Sequence, residues 1–331
     1  MRRRLTVRGG ACAALVVASM LAAPRAGGAA TPDYAGPGPY AVVTASLVGP
    51  GGAAFDVFRP SSYRALSFRS PIVTWGNGTG ANPDDYTTLL DHLASWGFTV
   101  VASTLPDTGS GRDILAGARD LVAADHRSRS PFFRHLANDE AAAMGHSQGA
   151  TGAVRAGELG GSFVSTVVTF SLPWNGEGPI GSTWDRSPGS AQALGWSGAN
   201  PDCATARDCW PDPGALRQPT LLLSTRGPID AVIANPAVER CYFEEVRAPA
   251  VLGIVRMSEG RVADHVSIED RAKGGNPGGF LGFTTAWLLA RLRHDAPAES
   301  LFFGPHPALL QSTTWSGSEV KRTSSVATGC R

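Results

Sequence analysis

Gly145-His146-Ser147-Gln148-Gly149 is the stretch of this 331-residue chain whose residue types and spacing are best suited to chemistry. It reads G-x-S-x-G, the pattern of a nucleophile elbow, in which a serine occupies a tight turn between a strand and a helix. A serine hydroxyl attacks a carbonyl carbon only when a base removes its proton and a carboxylate holds that base in the right tautomer. In a strand-turn-helix setting the acid and then the histidine follow the serine along the chain. Asp230, just past the apolar run Thr220-Leu221-Leu222-Leu223-Ser224, fits the acid, and His265, in the polar stretch after Val251 to Val255, fits the base. His294 and His306 come too late for a loop at the active edge, and His146 lies inside the elbow itself. Asp264 adjoins His265 and points poorly for orienting its ring; Asp202 and Asp212 remain rivals for the acid. An oxyanion developing on the substrate needs two backbone N–H donors. Gln148, after the nucleophile, supplies one, and Thr79, in Asn77-Gly78-Thr79-Gly80, is the best choice for the second. A phosphate cradle at that glycine-rich loop is disfavoured, because the Lys-Ser/Thr of a P-loop is missing.

Those residues need elements to carry them, and the hydrophobic pattern provides a series. Tyr40–Thr44 and Ala54–Arg59 read as a strand hairpin, and Pro71–Trp75 as a strand running into the Thr79 loop. Leu89, Leu90, Leu93 and Trp96 fall at helical spacing, Phe98–Ala102 is a strand, and Ile114 to Val122 is helical again. Glu140–Met144 is the expected elbow strand and Ala150–Glu158 the expected elbow helix. Strands follow at Val164–Phe170, Thr220–Ser224 and Val251–Val255, then a long helix at Phe280–Arg293. Strands alternating with helices predict an α/β fold with a mostly parallel central sheet flanked by helices. One interval breaks the rhythm: residues from about 175 to 218, rich in Gly, Pro and Ser, carry Trp184, Trp196 and Trp210. Such an insertion reads as an irregular lid or a surface decoration packed on its own aromatics.

Composition bounds the rest. Arg2, Arg3, Arg4 and Arg8, the apolar Ala11–Ala23 and the small residues Gly28-Ala29-Ala30 predict a signal peptide over residues 1–30, by a general secretory or twin-arginine route. The expected product is a secreted, monomeric, single α/β domain spanning residues 31–331, with no integral membrane association. A formal net charge of +1, with no long charge run, gives no indication of nucleic acid as a partner. Cys203, Cys209, Cys241 and Cys330 are an even set for an oxidising compartment; the short loop favours Cys203–Cys209, leaving Cys241–Cys330. Neither a metal nor an organic cofactor is expected, since the chemistry needs none and no C-x-x-C spacing occurs.

The motifs together resemble the secreted bacterial polyester hydrolase group of the α/β-hydrolase superfamily, the cutinase-like and poly(ethylene terephthalate) hydrolase-like enzymes. The resemblance runs through Gly38-Pro39-Tyr40, Gly76-Asn77-Gly78-Thr79, Leu93 to Val101, the elbow, Leu172-Pro173-Trp174, Pro219-Thr220-Leu221-Leu222 and Asp264-His265-Val266-Ser267. It implies an α/β-hydrolase fold, a triad of Ser147, Asp230 and His265, oxyanion donors at Thr79 and Gln148, and Trp174 as an aromatic wall against the acyl group. The implied activity is hydrolysis of small-molecule or polymeric esters as a carboxylesterase, lipase or cutinase. An exported acyltransferase using the same triad, or a non-catalytic binding protein keeping the fold, would share these residues. Two departures stand out. His146 and Gln148 replace the Trp and Met common in the polyester enzymes, implying a different subsite, and the stretch from Trp174 to Pro219 is expanded.

Overall fold

The loops that carry Ser147, Asp230 and His265 all leave one edge of a central sheet, and the strand order explains why. The computed structural model describes residues 33–49, 52–173, 211–272 and 274–322. The strands are β1 (Val42–Val48), β2 (Ala54–Pro60), β3 (Ser70–Gly76), β4 (Thr99–Ser103), β5 (Leu136–His146), β6 (Val164–Phe170), β7 (Thr220–Thr225), β8 (Ala250–Val255), the small hairpin β9 (Met257–Ser258) and β10 (Arg261–Val262), and β11 (Glu319–Lys321). Among the described residues nine of them form one sheet in the order β1-β2-β4-β3-β5-β6-β7-β8-β11. From β4 to β8 every neighbouring pair is parallel, whereas β1-β2, β2-β4 and β8-β11 are antiparallel. The chain steps outward from β3 to β4, then crosses back to β5 on the other side of β3. Loops leaving β3 and β5 therefore diverge at a switch point, where open α/β sheets form their clefts.

Strands buried on both faces read as continuous apolar runs. Val73, Trp75, Val100, Met144, Val168, Phe170, Leu221 and Val251 face one core, shared with α1 (Thr87–Ser95) and a later long helix. Their neighbours Ile72, Val101, Ala141, Ala143, Val167, Leu222 and Leu252 face the opposite side. There lie α2 (Arg112–Asp125), α3 (Gln148–Gly160) and α4 (Pro236–Glu245). The long helix is α5 (Gly278–Leu292), whose Trp287 is fully buried against the aromatic rings of α6 (Ala296–Phe303). Each such large apolar side chain contributes about 1.5–3 kcal/mol when removed from water.

Two sequence expectations shift. β5 is eleven residues long, not five, because Asn138, Asp139 and Glu140 lie in a register shift between the pairs Pro71–Ala137 and Ile72–Ala141. Polar residues in a bulge hide a strand from an apolar-run reading. The end of the expected insertion, residues 211–218, packs against the body instead of standing off it: Leu216 is fully buried, and the Gln218 amide donates to the carbonyls of Gly157 and Gly161 at 3.0 and 2.8 Å. The remainder of that insertion, with Trp174, Cys203 and Cys209, lies outside the described residues, as do the expected leader and Cys330. Cys241 on α4 is half-buried. Among the described residues no helix is long and apolar enough to cross a membrane.

Candidate active site

Ser147 sits between β5 and α3 with φ 53° and ψ −121°, a conformation that costs a residue with a Cβ of order 1–3 kcal/mol. The turn is possible because the flanking glycines have no Cβ. One built on Gly145 would lie 2.1 Å from the Gly149 carbonyl oxygen, and one on Gly149 would lie 2.1 Å from that of Gly76. The serine's own N–H donates to the Phe170 carbonyl at 2.9 Å, pinning the turn to the end of β6. Its side chain stays partly open to solvent.

The three residues expected to cooperate are brought together. His265 Nε2 lies 3.0 Å from Ser147 Oγ, and His265 Nδ1 lies 2.7 Å from Asp230 Oδ1. A carboxylate only accepts, so Nδ1 carries the ring hydrogen, leaving Nε2 bare in the neutral ring to accept from the serine. Asp230, fully buried on a helical turn after β7, has its second oxygen enclosed by donors. Oδ2 accepts from Ser171 Oγ at 2.8 Å, from the Thr225 N–H at 3.1 Å and from Thr225 Oγ1 at 2.5 Å. These bonds fix the carboxylate's orientation, leaving Oδ1 for the histidine.

His265 opens a 3₁₀ turn, His265–Ile268, whose cap is Asp264. Asp264 is no rival for the acid role; its Oδ1 accepts from the N–H groups of Ile229 (3.0 Å), Asp230 (3.1 Å) and His265 (2.8 Å). One carboxylate thus clamps the Asp230 loop to the His265 loop. Asp212, the described member of the other rivals, has its N–H on Glu158 near the far end of α3.

Gln148 is the first residue of α3, where backbone N–H groups point outward and the helix dipole favours a negative charge. Thr79 is exposed on the loop after β3. Among the described residues neither the Gln148 nor the Thr79 N–H donates to another group, so both are available to an anion. Asn77 braces that loop: its Nδ2 donates to the carbonyls of Ser103 (2.6 Å) and Leu105 (3.1 Å), and its Oδ1 accepts from Trp75 Nε1 (3.1 Å).

The difference expected at His146 and Gln148 is not one of exposed side chains, since each residue is only 1% exposed. Gln148 turns inward, accepting from the Thr108 N–H at 2.8 Å and donating to Asp107 at 2.9 Å.

Tyr86, Ser171 and Glu239 were not singled out from the sequence as parts of a site, and Asp264 was weighed only as a candidate for the acid and as part of the motif around His265. The carboxylate three residues before Ser267 at the start of a turn was the one available signal, a capping pattern at Asp264. Glu239 of α4 is fully buried; its Oε1 accepts from the Leu172 N–H at 2.7 Å, while Oε2 has no partner among the described residues. Burial first, and then the nearby Asp230 charge, push its carboxyl well above the usual range. From the ordinary carboxylate value up to that raised one, the folded protein keeps a proton that the unfolded chain has released. Stability attributable to Glu239 therefore declines as pH rises through this window, by up to about 1.4 kcal/mol per pH unit. Glu239→Gln is expected to flatten that decline while keeping the bond to Leu172, as read by urea unfolding between about pH 5 and about pH 8. Parallel curves for the two proteins would contradict a protonated Glu239.

Among the described residues no group of three or more His, Cys, Asp or Glu side chains is placed to hold a metal ion. No protein-family model matches the chain, and no curated protein matches it either.

Proposed function

We propose that this protein is a secreted serine ester hydrolase with an α/β-hydrolase fold, related to the cutinase-like and polyester hydrolase group. The observation that carries the reading is the continuous relay of Ser147 Oγ, His265 and Asp230 at 3.0 and 2.7 Å, on a serine held in a strained turn at a sheet switch point. Export rests on the leader-like residues 1–30, and polymers are among the proposed substrates on the resemblance alone.

In the proposed cycle, Ser147 Oγ bonds to the ester carbonyl carbon as its proton passes to His265 Nε2. The carbonyl π electrons move onto oxygen, and the N–H groups of Thr79 and Gln148 receive that charge. Collapse of the tetrahedral adduct breaks the bond to the alcohol oxygen, which takes the proton from His265 Nε2 and leaves an acyl-Ser147. Water then gives a proton to His265, adds to the acyl carbon and releases the acid, and Ser147 recovers its proton. Asp230 accepts from His265 Nδ1 throughout and stabilises the imidazolium formed in each half.

A fluorophosphonate probe is expected to label the folded protein at Ser147, and p-nitrophenyl acetate to compete with it. Absence of labelling in folded protein would overturn the reading in favour of a non-catalytic role. A panel of esters of increasing acyl length, with a soluble and an insoluble polyester, then assigns the substrate class.

A further inference from the structure

The residue before the nucleophile makes two buried hydrogen bonds that the cycle above does not use. His146 Nε2 lies 3.0 Å from the main-chain carbonyl oxygen of His265, and its Nδ1 lies 3.0 Å from Tyr86 Oη. A carbonyl oxygen only accepts, so Nε2 carries the hydrogen and Nδ1 is the acceptor of a neutral ring. Burial, with the neighbouring His265, holds this imidazole well below its ordinary value and keeps it neutral. Tyr86, itself fully buried, accepts the Gly78 N–H at 2.9 Å and has its own proton left for His146. Glu269 Oε1 stands 3.5 Å from the same Nδ1, too far for a strong hydrogen bond.

The donors therefore run in one direction, from Gly78 N–H to Tyr86, from Tyr86 to His146 and from His146 to the His265 carbonyl. This chain begins one residue before Thr79 and ends on the backbone of the base. It also crosses the elbow, since His146 is the last residue of β5. The two loops that must act together on one substrate carbonyl are thus tied to each other through the residue that precedes Ser147. A packing role alone would need neither polar end. The His146 and His265 rings also stand 4.8 Å apart and tilted, so a change at His146 bears directly on where the base sits.

We propose that His146, linked to Tyr86, is a positioning residue that locks the His265 main chain to the loop carrying Thr79, so that base and oxyanion donors keep one register about Ser147. This rests on the hydrolase reading given above.

Purified His146→Phe, His146→Gln and Tyr86→Phe proteins and the double variant Tyr86→Phe/His146→Phe test it with a p-nitrophenyl ester. His146→Phe keeps a ring but loses both bonds, and a base displaced by a fraction of an ångström is expected to lower kcat by about 10- to 100-fold with KM little changed. His146→Gln sets an amide N–H where Nε2 was and is expected to restore most of that rate. Tyr86→Phe removes one oxygen and preserves the packing, so it guards against a His146 variant that does not fold. If the bonds act as one chain, the double variant is no worse than His146→Phe alone. Wild-type kcat in folded His146→Phe and Tyr86→Phe, a change confined to KM, additive losses in the double variant, or failure of folded His146→Gln to recover rate would each overturn the proposal. Fluorophosphonate labelling separates this from failure of the hydrolase reading: with wild type labelled and turning over, these outcomes remove only the positioning role, whereas an unlabelled, inactive wild type removes both.

Discussion

Ser147→Ala is expected to abolish hydrolysis of p-nitrophenyl esters, with kcat falling by about a million-fold, while the protein folds as the wild type does. The substitution deletes one oxygen, whose partner among the described residues is His265 Nε2. Ser147 is partly solvent-exposed, so the loss of its oxygen leaves no cavity in the core. Ser147→Gly is the sharper variant. It loses the same nucleophile, but glycine accepts φ 53° and ψ −121° without a Cβ clash. Relief of that conformation, less the extra chain entropy of glycine, is expected to raise stability by about 1 kcal/mol, or roughly 1–2 °C in Tm for a domain of about 300 residues. An inactive and more stable glycine variant would show that backbone strain is retained here for the sake of the reaction. Full turnover by Ser147→Ala would mean that another group attacks the ester.

Asp230→Asn is expected to lower kcat by about ten-thousand-fold with the fold intact. The environment of the carboxylate decides which way the new amide points. Three donors, the hydroxyls of Ser171 and Thr225 and the Thr225 N–H, surround the Oδ2 position. Only the amide oxygen can accept from them, so the NH2 group must face His265. It then donates to Nδ1, the ring hydrogen moves to Nε2, and Nε2 can no longer take the Ser147 proton. The serine and the oxyanion donors remain, so residual hydrolysis above the uncatalysed rate is expected. Steady-state kcat and fluorophosphonate labelling rate should fall together, because both need an activated serine. Near wild-type kcat would show that the base is oriented by something other than Asp230.

The α/β architecture was legible because strands covered on both faces carry near-continuous apolar runs, as Leu221–Leu223 and Val251–Val255 do. Elements whose pattern is not apolar were missed. The α4 helix begins at Pro236 and carries charged residues at Glu239, Arg240, Glu244 and Glu245, so its buried face is narrow. β11 is a three-residue edge strand, too short for any periodicity. At the site, motif and chain order picked out Ser147, Asp230 and His265, each following a parallel strand, and the structure brings these three side chains within hydrogen-bond reach; Thr79 and Gln148 remain proposed as the oxyanion donors. That His146 and Gln148 are buried was not legible, because local sequence does not say which way the turn faces.

The sequence by itself therefore determined the order of the parts: a strained serine between strand and helix, an acid and a histidine after later strands, and a glycine-rich loop before them. Chain order and hydrophobic period are local properties, and they survive without knowledge of the fold. Only the tertiary structure decided which groups meet. The 3.0 and 2.7 Å contacts of His265, the clamp of Asp264 on the Asp230 loop and the Tyr86–His146 link join residues 34 to 118 positions apart. Such distances are set by how β5, β6, β7 and β8 lie side by side and by the bulge and turns at their ends. No local pattern encodes that register, because it arises from both faces of the sheet being packed at once.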